Sequence, residues 1–407
     1  MSWRLKFELS HPVVQKYLLQ MASALPKCKF GARCYRRKYP KHMAAFSHDG
    51  IVFPDDPTPA ADLSDQAESN DKTDGEPEPT KRSKMEMSSL TFEELKADIG
   101  AKFLVSFTSE LFRFWGNVLV IGDNMGVENT CEVFDEIKGL RLVGVFDYIS
   151  RKCEQQRTNT NGVAKDDESY LVKDRFDTDL PNMQTIAIYN EGRFVYWRFS
   201  DTPSDAQPLL VHVKRKDKHF PKLEIVGSDD PTHMIAFLKK TFGHDTMPKI
   251  DDYLAQLTGF RDMHKKFDVE GYLEKYDGIV KKLRKERSER ANGNASHGLG
   301  VVVDEKYNDR SKYVQLQPFL DDVVKDKRRL LTLMEYVEES LKEKSSIGMA
   351  MEYGQEMFMS NNSLFDEFAL TTLCKVYGAL KMQVFQTILK EHMKVRRNLL
   401  KQIEESA

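Results

Sequence analysis

The chain has 407 residues, 40% of them hydrophobic and 30% charged, the composition of a globular protein long enough for two or three domains. Its 61 lysines and arginines against 63 acids give a formal net charge of -2, so bulk charge gives no case for nucleic acid, and a polyanion would have to meet a local patch. No apolar run approaches the roughly 18 residues of a membrane span, and the opening residues lack the charged-then-apolar layout of a signal peptide, so no membrane is expected as a partner. Cys28, Cys34, Cys131, Cys153 and Cys374 are too sparse and uneven for a disulfide framework, which points to a reducing, intracellular compartment.

In chain order, residues 1–24 form an N-terminal segment with Val13, Val14, Tyr17, Leu18 and Met21 at helical spacing. Residues 25–50 hold Cys28, Cys34, His42 and His48, four candidate ligands within 21 residues, separated by five, seven and five residues. Two thiolates and two imidazoles suit tetrahedral Zn²⁺, and a segment this short would take most of its folding energy from the metal. Residues 51–90 read as a disordered acidic linker. Asp55 to Glu78 contains nine acids, one lysine and no aromatic residue, too little apolar surface to offset the entropy of ordering. Lys81-Arg82-Ser83-Lys84 reads equally well as a nuclear import signal or as solvated lysines.

Order is expected again from Thr91-Phe92-Glu93-Glu94, a capping box, followed by Leu95, Ile99, Phe103 and Leu104 on one helical face. Gln184–Tyr189 and Arg193–Phe199 read as strands around an Asn190-Glu191-Gly192 turn, with further strands at Leu209–Val213 and Leu223–Val226. Pro231 opens a helix bearing Met234, Ile235, Phe237 and Leu238. Residues 91–245 are therefore expected to form an antiparallel sheet with packed helices, and 246–407 a mainly helical domain. Within the latter, Phe365, Phe368, Ala369, Leu373, Val376, Leu380, Val384 and Ile388 predict one long buried helix. The basic runs Lys214–His219 and Lys281–Arg290 read more readily as solvated faces than as contacts for DNA, histones or polymer. The predicted fold class is α+β: a small zinc finger, a linker, an antiparallel sheet with packed helices, then a helical region. No phosphate loop or catalytic-triad motif supports an enzyme acting alone.

The run from Lys27 to Arg37, with Pro40-Lys41-His42 and Phe46-Ser47-His48, closely resembles the poly(ADP-ribose)-binding zinc finger. The resemblance implies that Phe30, Tyr35 and Arg36 hold an adenine of the polymer: aromatic faces stack on a purine and a guanidinium grips a pyrophosphate. The seven residues between Cys34 and His42 exceed the family's usual six by one. Double-stranded DNA suits a single small finger without a recognition helix poorly, so direct DNA binding is not expected.

From about 100 to 393 the chain resembles the histone PARylation factors, in Phe112–Trp115, Gly139–Gly144, Gln184–Ile188, Trp197–Pro203 and Gly348–Phe358. That resemblance implies a nuclear accessory factor at DNA damage sites. It would bind a poly(ADP-ribose) polymerase and place a glutamate beside the polymerase's NAD⁺, so that serine on histones and other proteins becomes the acceptor. Counting back from Gly348 without a gap puts Lys344 at the catalytic position; counting forward from Met334 with one inserted residue puts Glu343 there. A lysine needs a large pKa depression to act as a base, so Glu343 is the assignment. The family's Tyr-Arg docking pair is represented by Tyr313, followed by Val314. The alternative is an adaptor that reads poly(ADP-ribose) in DNA repair and takes no part in the chemistry.

Overall fold

The computed structural model describes residues 92–158, 170–199, 207–214, 220–243, 249–260, 266–291, 295–303, 305–307, 320, 322–323, 325–326 and 328–405. The predicted finger, the linker, Tyr313 and all but the first residue of the 214–219 basic run lie outside them. The described residues belong to one compact unit.

Two helices open it. Helix α1 (Phe92–Phe103) starts with Glu93 and Glu94 and ends with Lys102, charges that complement its dipole, and it buries Leu95, Ile99 and Phe103. Helix α2 (Ser109–Met125) buries Phe112, Phe114 and Trp115. Trp115 stacks on Phe146 of α3 (Val145–Thr158) at 5.7 Å between ring centroids. Such ring pairs add about 0.5–1.5 kcal/mol beyond the apolar area they bury.

Strands β1 (Arg141–Leu142), β2 (Met183–Tyr189), β3 (Gly192–Trp197), β4 (Leu209–Lys214) and β5 (Leu223–Gly227) form an antiparallel sheet in sequence order. The predicted strands appear within two residues of their expected ends, and Asn190-Glu191 makes the two-residue hairpin, with Tyr189 paired to Gly192. The short β1 was not anticipated; it pairs Arg141 with Ile188 and Leu142 with Ala187. One face packs on α4 (Thr232–Phe242), where Phe237 lies against Phe194 and His212. The opposite face carries Arg193 and Trp197. Arg193 pairs with fully buried Asp179 at 2.6 Å, and Trp197 meets Arg287 and His297.

Gly144 turns the chain from β1 into α3 at φ 64°, donating its N–H to Asp174 at 2.8 Å. A Cβ there would stand 2.6 Å from the backbone oxygen of Thr185 in β2. Gly144→Ala should therefore cost about 2–4 kcal/mol, from left-handed strain plus overpacking. Gly100→Ala, in α1 with nothing within 4 Å of the added carbon, should be neutral or stabilising. Denaturant midpoints of the two variants check this; equal midpoints contradict it.

The helical region follows: α5 (Ile250–Leu257), α6 (Val269–Arg290), α7 (Arg328–Lys342), α8 (Ile347–Met359), α9 (Asp366–Ala379) and α10 (Gln383–Glu405). Helix α8 is buried at every position and forms the centre of the bundle. Gly354 lets α9 approach, since a Cβ there would lie 2.7 Å from Leu373.

The single helix expected from Phe365 to Ile388 is instead two, α9 and α10. Lys381 adopts φ 61°, the Lys381 N–H donates to Gly378 O at 3.2 Å, and the Met382 N–H donates to Tyr377 O at 2.7 Å. This pair of closing bonds ends a helix in the way a C-terminal glycine usually does. With lysine at the left-handed position, the break left no glycine for the sequence to show.

The basic run 281–290 is mixed in character. Arg284 pairs with Glu224 at 2.7 Å, and Lys282 and Lys285 lie 3.7 Å from Glu286 and Glu289. Arg287, however, is buried, with its guanidinium 4.0 Å from the Trp197 ring and a hydrogen bond to Gly300 O at 2.7 Å. It belongs to the core, which corrects its reading as part of a solvated face.

Four buried histidines, His212, His233, His297 and His392, make the fold sensitive to acid, and burial lowers the pKa of each. Burial, reinforced by nearby arginine and lysine charges, pushes His212 down to about 4 and His297 to about 3; burial with Arg175 pushes His392 to about 3. In the unfolded chain a histidine titrates near ~6.5. The stability each contributes is complete above that value and is lost as pH falls toward the folded value, at about 1.4 kcal/mol per pH unit for each group. Burial raises Glu356 and Asp177, which act in the opposite sense in the lower part of the range. Urea midpoints should fall from pH 6.5 to 4.5; a constant midpoint contradicts this linkage.

Candidate functional site at the α7–α8 corner

Glu343 stands between α7 and α8, directly after Lys342 and ahead of a short turn, Lys344–Ser346. Its backbone is extended, with φ -100° and ψ 126°, so the residue is outside both helices. The Ser346 N–H donates to the Glu343 carbonyl at 3.0 Å, and Ser346 itself is buried, which fastens the corner to the bundle. The side chains of Lys342, Glu343 and Lys344 are exposed.

A second turn, Glu305–Tyr307, packs against Lys344–Ser346. The Tyr307 ring lies 5.5 Å from the Lys344 ammonium and 5.0 Å from that of Lys306. Nothing in the sequence singled out Tyr307. A lone tyrosine has no periodicity, and the approach of residues 307 and 344 is visible only in three dimensions.

The other acids nearby have different surroundings. Glu335, Glu338 and Glu339 are exposed along α7. Glu352 and Glu356 are each 1% exposed inside α8. Burial raises the pKa of Glu356 despite a 2.5 Å hydrogen bond from the Ser296 N–H. The second oxygen of Glu356 and the amide oxygen of Gln355 are buried without a hydrogen-bond partner. Glu352 and Glu356 are therefore closed off from outside molecules, whereas Glu343 at the corner is exposed. Beside the corner, a groove of about 250 Å³ runs between α7 and α9, lined by Met334, Val337 and Leu341 on one side and Phe368 and Thr372 on the other.

Among the described residues there is no group of three or more histidines, cysteines or acids placed to hold a metal, and no helix is long and apolar enough to cross a membrane.

The described residues thus form an α+β body with Glu343 exposed at a helix corner. Residues 94–396 match the family model described as Histone PARylation factor 1, and residues 25–56 match that of the PBZ domain. The chain therefore belongs to the histone PARylation factor 1 family. That family makes it an accessory factor with an ADP-ribosyltransferase as partner, and the PBZ domain supports a zinc finger and poly(ADP-ribose) binding.

Proposed function

We propose that this factor docks on a poly(ADP-ribose) polymerase and completes its active site with Glu343 as general base, directing ADP-ribosylation to serine on histones and other proteins. The observation that carries this reading is the position of Glu343: extended, exposed and outside both helices, while the acids of α8 are buried. NAD⁺ held by the polymerase would supply the ADP-ribosyl group. Glu343 takes the proton of the serine hydroxyl as its oxygen bonds to the ribose carbon, and the electron pair of the breaking carbon–nitrogen bond departs with nicotinamide. A neutral hydroxyl is a poor nucleophile near neutral pH, so an acceptor serine gains most from an added base.

In this account Tyr313 contributes to docking. Cys28, Cys34, His42 and His48 would hold zinc, whose role is to supply the finger's folding energy; two thiolates and two imidazoles are a donor set suited to it. Phe30, Tyr35 and Arg36 grip the polymer. The factor would work in the nucleus, on chromatin at DNA damage sites, where the finger raises its local concentration wherever polymer has formed.

The test is reconstitution of polymerase, NAD⁺, damaged DNA and a histone peptide, with and without the factor. The proposal expects hydroxylamine-resistant, serine-linked product only with the factor; identical products with and without it contradict the proposal. That second outcome would favour the non-catalytic adaptor, a reading supported by Val314 in place of the family's docking arginine and by Lys344 at the catalytic position in the ungapped count.

A further inference from the structure

A general base must be held to within about half an ångström of its working position. Glu343 is an exposed residue with an extended backbone in the connection between two helices, so its aim depends on how that connection is held. Among the contacts of the described residues at this corner, two lie on either side of the following peptide. The Ser346 N–H fixes the Glu343 carbonyl, and the Tyr307 ring receives the ammonium of Lys344, the next residue. A cation within about 6 Å of an aromatic face is attracted by the ring quadrupole, and the attraction grows as water is excluded. Tyr307 is half-buried, whereas Lys344 is exposed. The ring is thus the fixed partner and the lysine the held one. Since Lys344 is bonded directly to Glu343, anchoring its ammonium limits the backbone settings open to the corner, and with them the direction in which the glutamate leaves the chain.

We infer that Tyr307 is a positioning residue for Glu343, acting through the cation–π contact with Lys344. This rests on Glu343 being the base, and it assigns Lys344 the work of holding rather than of proton transfer. The clamp depends on an aromatic face and a fixed cation, so the phenol hydroxyl is dispensable and arginine can replace lysine.

The test uses the full-length factor at saturating concentration with the polymerase, following serine-linked product, the binding of factor to polymerase, and thermal melting of each variant. Tyr307→Leu and Lys344→Met should each lower kcat by roughly ten- to a hundredfold, the scale expected for a misplaced rather than a missing base. Binding to the polymerase should be unchanged, and the double variant should be no slower than either single one, because both remove the same contact. Tyr307→Phe and Lys344→Arg should retain the wild-type rate and melting temperature.

Wild-type activity in Tyr307→Leu, with Glu343→Gln inactive, overturns the positioning role and leaves the base in place. Equal losses in Tyr307→Leu and Tyr307→Phe would assign the effect to the hydroxyl and overturn the clamp. So would a loss of activity matched by a loss of binding, or multiplicative losses in the double variant. Full activity of Glu343→Gln removes the base, and the positioning role falls with it.

Discussion

Glu343→Gln should lower serine-linked ADP-ribosylation by about 10²–10⁴-fold, the contribution expected of a positioned general base. Glutamine preserves the size of the side chain, and the position is exposed, so stability should change by no more than about 0.5 kcal/mol. The loss should lie in kcat, with binding to the polymerase intact, because the carboxylate does its work in the transition state. Glu338→Gln, an exposed acid of α7, is the matched control and should be silent. If both variants are silent, the corner supplies no base. If Glu343→Gln loses binding in proportion to rate, the residue docks rather than catalyses.

The second large effect belongs to the finger. Cys28→Ala should remove zinc and all measurable poly(ADP-ribose) binding, since a structural zinc contributes about 10–16 kcal/mol to folding a module of this size. Phe30→Ala should behave differently: zinc content stays at one per chain, while polymer affinity falls by the ~1–3 kcal/mol of one base–aromatic stack. Zinc analysis and filter binding with labelled polymer separate the two. Zinc loss in Phe30→Ala would give that residue a structural role, and unchanged polymer binding in Cys28→Ala would place the polymer elsewhere.

Where one element carried its own signal, the sequence showed it. The alternation around Asn190-Glu191-Gly192 located β2 and β3, and Pro231 marked the start of α4. Where the signal lay in contacts between distant segments, it did not. The break at Lys381 depends on closing hydrogen bonds rather than on a glycine, so α9 and α10 read as one helix. Arg287 sits in a basic run, yet it is taken into the core by Trp197, some 90 residues earlier. The glycines of the 139–144 stretch were visible as part of a resemblance; Gly144 has a physical reason in the approach of Thr185.

The candidate site divides in the same way. Composition set Glu343 among many acids, and only the resemblance selected it; the structure adds that it stands outside the helices while Glu352 and Glu356 are buried. Tyr307 lies 36 residues before Glu343, and no spacing rule connects the two. The zinc ligands are the reverse case, since four residues of the right chemistry within 21 are legible with no structure at all.

The most direct test of the central claim is residue-level mass spectrometry of one histone peptide, modified by the polymerase with wild-type factor or with Glu343→Gln at equal occupancy of the polymerase. The account predicts serine as the acceptor with the wild type and its near disappearance with the variant. Serine modification of equal extent with both proteins would contradict it.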